Sequence, residues 1–238
     1  MPYAGDPGRP YQWGLFRIGA STATRVLAHA SVGVAVLDSG MDYTHPDLHV
    51  NGAVNFSDSP STQDYFGHGT HVAGIVAALN NGYGVEGTAP GTPLWSVKVV
   101  DVTGLTSVGA VAAGLDWVAK NARARHIRVA NLSLHFDADD PVLHQAVQVA
   151  TEAGVSVVAT AGDLGLNDHV YPAGYPEVLS VAATAENDTK IAPSNWGADW
   201  VDVAAAVSAA PRSPRSDKDS TSNSRMCSTT SGSWHRSA

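Results

Sequence analysis

An aspartate and a histidine thirty residues apart carry the first chemistry in this 238-residue sequence. Asp38 closes the apolar run Val32-Gly33-Val34-Ala35-Val36-Leu37 and precedes Ser39-Gly40. That places a carboxylate at the carboxyl end of a buried strand, although a turn Asp before Gly reads the same way locally. His68 lies in Gly67-His68-Gly69-Thr70-His71-Val72-Ala73-Gly74, at the mouth of an apolar helical run. The positive end of a helix disfavours a protonated imidazole, so the spacing predicts a neutral histidine, the form a general base needs. A carboxylate that orients an imidazole is one chemistry open to this pair. Metal binding by His68, His71 and Asp38 is another, and two structural histidines on a Gly-rich loop is the plain alternative.

Both side chains need a framework to hold them. The apolar runs 32–37, 94–99, 129–134, 155–160 and 178–182 read as strands buried on both faces. Val108, Val111, Ala112, Leu115, Val118 and Ala119 recur at helical spacing, as do Val142, Ala146, Val149, Ala150 and Ala153, with Pro141 near a start and Gly154 at a stop. Strands alternating with helices give an α/β domain around a mainly parallel sheet, whose chemistry gathers beyond the carboxyl ends of the strands. The net charge of −8 argues against a nucleic-acid surface, and no apolar run approaches the roughly 20 residues of a membrane span. The single cysteine, Cys227, rules out internal disulfides and a Cys-rich zinc site. Met1-Pro2-Tyr3-Ala4-Gly5-Asp6 has neither the basic nor the apolar region of a signal peptide.

The segments Val34-Ala35-Val36-Leu37-Asp38-Ser39-Gly40-Met41-Asp42, His45-Pro46-Asp47-Leu48 and Gly67-His68-Gly69-Thr70-His71-Val72-Ala73-Gly74 resemble the subtilisin-like serine proteases, the subtilases, from about Tyr11 to about Val207. The resemblance implies a three-layer fold, a polypeptide substrate, a monomer, and secretion by family habit. It implies that Asp38 orients His68 and that His68 relays the proton of a serine nucleophile. It makes Ser133, Leu134, Thr160 and Gly162 substrate-lining, with extended peptide bound along strand edges, whereas Leu134 and Thr160 taken by themselves read as plain core strand residues. It also implies a structural Ca²⁺ held by Asp47, Asn81 and the carbonyls of Leu79, Tyr83 and Val85, with Asp6 as a weaker candidate; hard oxygen donors suit that ion. A Gly/Asn-rich turn without metal is the plain reading of residues 79–85.

Three departures from the family pattern stand out. His135 occupies a place where the family has Gly, which bears on the first specificity pocket. Asp163 replaces the Asn that donates to the developing oxyanion; an ionised Asp repels that charge, although a branch of the proprotein-convertase relatives also carries Asp here. The nucleophile motif Gly-Thr-Ser-Met-Ala-x-Pro is absent, and Ser231, near the expected place, lies in Ser228-Thr229-Thr230-Ser231-Gly232-Ser233-Trp234.

Composition changes at the same point. After Val207 there is no Val, Ile, Leu or Phe, and Arg212, Arg215, Lys218, Arg225 and Arg236 face only Asp217 and Asp219. Residues 1–208 are therefore expected to be an incomplete peptidase domain and 209–238 a disordered Ser/Arg-rich tail, consistent with a truncated or frame-shifted gene. Two functions follow: a serine endopeptidase by descent, or an inactive, truncated remnant that still binds peptides. The metal-dependent hydrolase using His68, His71 and Asp38 is a third.

Overall fold

The computed structural model of the chain describes residues 5–20 and 32–206. The expected tail 209–238, and Ser231 within it, lie outside the described residues. Seven strands form one sheet: β1 (Gly33–Asp38), β2 (Val50–Asn55), β3 (Leu94–Lys98), β4 (Ile127–Leu132), β5 (Ser156–Thr160), β6 (Val178–Thr184) and β7 (Val203–Ala206). Their order is β2-β3-β1-β4-β5-β6-β7, and every neighbouring pair is parallel. Among the described residues the α-helices are α1 (Trp13–Arg17), α2 (His68–Ala77), α3 (Val108–Asn121) and α4 (Pro141–Glu152).

All six residues of β1 are buried, as a strand covered on both faces requires. Alternate side chains go to opposite layers. Ala35 and Leu37 join the larger core with Val111, Leu115, Val118, Leu143 and Val147 of α3 and α4. Val34 and Val36 join the smaller core with Met41, Leu94, and Ala73 and Ala77 of α2. The result is the three-layer α/β arrangement that the sequence implied.

Local signals explain the helix ends. Asp140 caps α4, its Oδ1 accepting from Val142 N–H at 2.8 Å and Leu143 N–H at 3.4 Å, with Pro141 in the first turn. Ser107 caps α3 through Ala110 N–H. Two strands escaped the sequence reading. The burial of β2 alternates, and β7 is a short run of Val203 and three alanines, so neither offers a continuous apolar stretch.

The chain adds β2 and β3 on one side of β1 and β4 to β7 on the other. The strand order thus reverses around β1, and a crevice at such a switch point opens beyond the carboxyl ends. Asp38, the last residue of β1, stands at that crevice.

Candidate active site

Asp38 and His68 meet across this crevice. His68 Nδ1 lies 2.8 Å from Asp38 Oδ1 and 2.9 Å from Oδ2. A carboxylate can only accept, so Nδ1–H is the donor and Nε2 carries the lone pair of the neutral ring. Ser39 N–H donates to Asp38 Oδ1 at 2.7 Å, which fixes the carboxylate from its own strand. The approach of α2 to β1 demands glycine: a Cβ on Gly69 would lie 2.1 Å from the Gly40 carbonyl oxygen and 3.2 Å from Asp38 Oδ1. Gly40 itself has φ +104° and would drive a Cβ to 2.6 Å from the Thr62 carbonyl oxygen.

The electrostatics correct one expectation. Burial disfavours a charged His68, but the Asp38 charge, its hydrogen bond and the nearby Asp64 charge outweigh burial and raise the imidazole above its ordinary 6.5. The helix terminus, invoked to keep the ring neutral, is overridden by two carboxylates. No cluster of three or more His, Cys, Asp or Glu side chains suited to a metal forms among the described residues, so His68, His71 and Asp38 do not converge on a common centre.

Sequence reasoning missed the polar layer beneath this pair. Asp64 Oδ1 accepts from the Ser39 hydroxyl (2.9 Å), Phe66 N–H (3.1 Å) and Gly67 N–H (2.7 Å). Its Oδ2 accepts from Thr70 N–H (2.9 Å) and the Thr70 hydroxyl (2.6 Å). Lys98, the fully buried last residue of β3, donates its ammonium to the Ser39 carbonyl. Burial pushes that ammonium below its ordinary value, against the pull of Asp64, Asp101 and Asp38.

The opposite wall of the crevice comes from β4 and β5. Strand register sets Val36 beside Asn131 and Leu132 beside Ala159, so Asp38, Ser133 and Thr160 lie side by side at the strand ends. The Ser133 hydroxyl accepts from the Asn131 amide at 3.0 Å, and Leu134 is buried. Gly162, at φ +92°, donates its N–H to the Thr160 hydroxyl at 3.1 Å and its carbonyl accepts Asn195 N–H at 3.0 Å. Asn195 Oδ1 also accepts from Leu164 and Leu166, tying down the loop after β5. Asp163 stands in that loop with Oδ1 shielded from solvent. His135 is buried, its Nε2 3.8 Å from Asp137 Oδ1.

A second cluster forms where residues 79–85 meet residues 6 and 47. Asp6 Oδ1 accepts the backbone N–H groups of Asn81 (3.0 Å), Gly82 (2.6 Å) and Tyr83 (3.1 Å). Val85 N–H donates to Asp47 Oδ2 at 3.2 Å, and Leu79 N–H to the Asp47 carbonyl at 2.9 Å. Asn81 Oδ1 accepts Tyr83 N–H at 2.9 Å. Asp47 Oδ1 and Asp6 Oδ2 are buried without a hydrogen-bond partner. Burial, with the Asp6 charge adding to it, pushes Asp47 up to about 6 despite the hydrogen bonds it accepts. Two buried carboxylate oxygens with nothing to neutralise them, beside loop carbonyls, suit a hard divalent cation.

Fold and site together describe a subtilisin-type hydrolase framework. Sequence comparison agrees. A sequence model of the Subtilase family matches residues 29–237. Subtilisin Savinase of Lederbergia lenta is 45% identical over 197 residues, 82% of this chain and 71% of that protein. The Alkaline protease of Alkalihalobacillus alcalophilus is 45% identical over 197 residues, again 82% of this chain but 50% of the relative. Subtilisin E of Bacillus subtilis (strain 168) is 38% identical over 185 residues, 75% of this chain and 48% of the relative. The chain belongs to the Subtilase family.

Proposed function

We propose that the chain is a subtilisin-like serine endopeptidase that hydrolyses peptide bonds in polypeptides. The observation that carries this is the Asp38–His68 contact at the carboxyl end of β1. His68 Nε2 takes the proton of a serine hydroxyl as its oxygen attacks the scissile carbonyl carbon, and returns that proton to the leaving amine. The resulting acyl-enzyme is released by water along the same proton route. Asp38 holds the ring in the required tautomer and stabilises the imidazolium. Ser133, Thr160 and Gly162 line the peptide, supported by the level strand ends of β1, β4 and β5, and Leu134, whose side chain is buried in the larger core, backs them. Asp163 occupies the oxyanion position, where its carboxyl aids the reaction only when protonated.

Asp47, Asn81 and the carbonyls of Leu79, Tyr83 and Val85 are the proposed Ca²⁺ ligands, with Asp6 completing the negative charge. The ion supplies structural charge neutralisation and takes no part in bond cleavage. A monomeric, extracellular enzyme is the accompanying reading. No helix among the described residues is long and apolar enough to cross a membrane. The division into a peptidase domain over 1–208 and a separate 209–238 segment rests on the loss of Val, Ile, Leu and Phe after Val207. Translating the gene in its other two frames beyond codon 207 tests it; absence of Gly-Thr-Ser-Met-Ala from both counts against a frame shift.

A fluorophosphonate probe with peptide mapping tests the activity. Labelling of one serine, abolished in His68→Ala, is the expected result. No labelling, with peptide binding retained, would instead identify a remnant.

A further inference from the structure

Helix α2 begins without a cap of its own. Its N-cap residue is Gly67, at φ +96°, which has no side chain to receive the exposed N–H groups of the first turn. Those groups are taken by residues from elsewhere. Gly69 N–H donates to the Ser39 hydroxyl at 2.9 Å, and Thr70 N–H to Asp64 Oδ2 at 2.9 Å. The Ser39 hydroxyl then donates its own proton to Asp64 Oδ1 at 2.9 Å. One carboxylate therefore accepts five hydrogen bonds from the segment around His68 and from the residue after Asp38.

Ser39 is the link. Its backbone N–H holds Asp38, its hydroxyl holds Asp64 and Gly69, and its carbonyl takes the Lys98 ammonium. Asp38 is 1% exposed, Asp64 9% and Lys98 0%, so all three charges are shielded from water. The Thr70 hydroxyl extends the chain by accepting Asp42 N–H at 2.9 Å. An ordinary helix cap needs none of the contacts to β1 and β3.

We propose that Asp64 is a positioning residue of the site: it locks the loop that carries His68 to the strand that carries Asp38 through Ser39, whose carbonyl takes the Lys98 ammonium. This rests on the reading of Asp38 and His68 as the acid–base pair. Asp64 touches neither substrate nor reacting atoms; it acts by holding the imidazole Nδ1–H on the Asp38 carboxylate. The charged groups that act on the ring are Asp38 on β1 and Asp64 in the preceding loop; His71 follows one turn along α2, and Lys98, the last residue of β3, feels both carboxylates and Asp101. Among them, Asp64 also adds to the attraction that raises His68.

The test is nuclear magnetic resonance on the ¹⁵N-labelled full chain, with no need of turnover or of the serine. In Asp64→Asn, the His68 ring titration midpoint falls toward the ordinary imidazole value. The Nδ1–H proton also exchanges with water about fivefold faster, the scale of one lost buried hydrogen bond. A variant that loses global stability but leaves both His68 signals unchanged would reduce Asp64 to a helix cap and overturn the proposal. Ser39→Ala removes only the bridge and keeps all the charges, so it serves if Asp64→Asn does not fold. It should speed Nδ1–H exchange likewise, with Ser39→Thr restoring the slower rate; unchanged exchange in Ser39→Ala would also overturn the proposal. Absence of fluorophosphonate labelling would sink the peptidase reading while leaving this coupling intact, so the two failures are distinguishable.

Discussion

At the end of β1, Asp38 is held by Ser39 N–H and by His68, and Asp64, Thr70 and Lys98 tie together the polar layer beneath it. Two strands away, at the end of β5, the crevice is shaped by a loop. Gly162 turns with positive φ, Asn195 ties the backbone, and the Asn195 Nδ2 is buried with no hydrogen-bond partner. Two departures from the family pattern, His135 and Asp163, fall on the β4–β5 side, and neither falls between Asp38 and His68. The contrast has a physical source. The acid–base half shares its buried hydrogen bonds with the fold, so changing a residue there leaves a buried donor or charge unmet, at about 1–3 kcal/mol or more each. The charge-stabilising half is largely backbone and loop, where a side chain can change with small cost to stability.

Several measurements would break or sharpen this contrast. The largest effect is expected from Asp38→Asn, which offers His68 an amide and so the wrong tautomer. Peptide hydrolysis by the active enzyme should fall by about 10⁴ with the fold retained. Asp163→Asn should move activity the other way, restoring an oxyanion donor worth about 10²–10³ in rate. An active enzyme that gains nothing would show that the β5 half is not the weaker one. Removing calcium with a chelator should lower the thermal midpoint, since an ion present at about a hundred times its Kd contributes ~2.7 kcal/mol. An unchanged midpoint would remove the metal from Asp47 and Asn81.

Gly69→Ala should destabilise the protein by about 1–3 kcal/mol in urea unfolding, because the added Cβ meets backbone rather than a yielding side chain. The smallest effect is on pH dependence. His68 is raised above 6.5, and its neutral form is the base, so the acid limb of kcat/KM should lie above 6.5. The stability supplied by the protonated His68–Asp38 pair has the opposite sense: it is present below 6.5 and lost as pH rises through the folded-state value.

Asp38 and His68 were legible in the sequence because each is embedded in a contiguous signal, an apolar strand ending in Asp and a Gly-rich helix start. The central strands and the helices α3 and α4 were legible for the same reason, being set by period and caps. Asp47 and Asn81 came with the family resemblance, and the structure places both in one loop cluster with Asp6. Asp64 was not legible: Gln63-Asp64-Tyr65-Phe66 reads as an ordinary loop, and its partners come from residues 39 and 66–70. Lys98 was hidden by its strand, since a lysine ending an apolar run suggests an exposed edge rather than an interior ammonium. Both are products of tertiary proximity, which single-sequence periodicity does not encode.

The ammonium of Lys98 bears on what the molecule can lose. A cation sealed inside the molecule is costly unless acceptors and nearby carboxylates offset its burial, whatever becomes of turnover. Removing Asp38 or Asp64 would therefore cost the fold as well as the chemistry, whereas a change in the oxyanion wall would cost the chemistry alone.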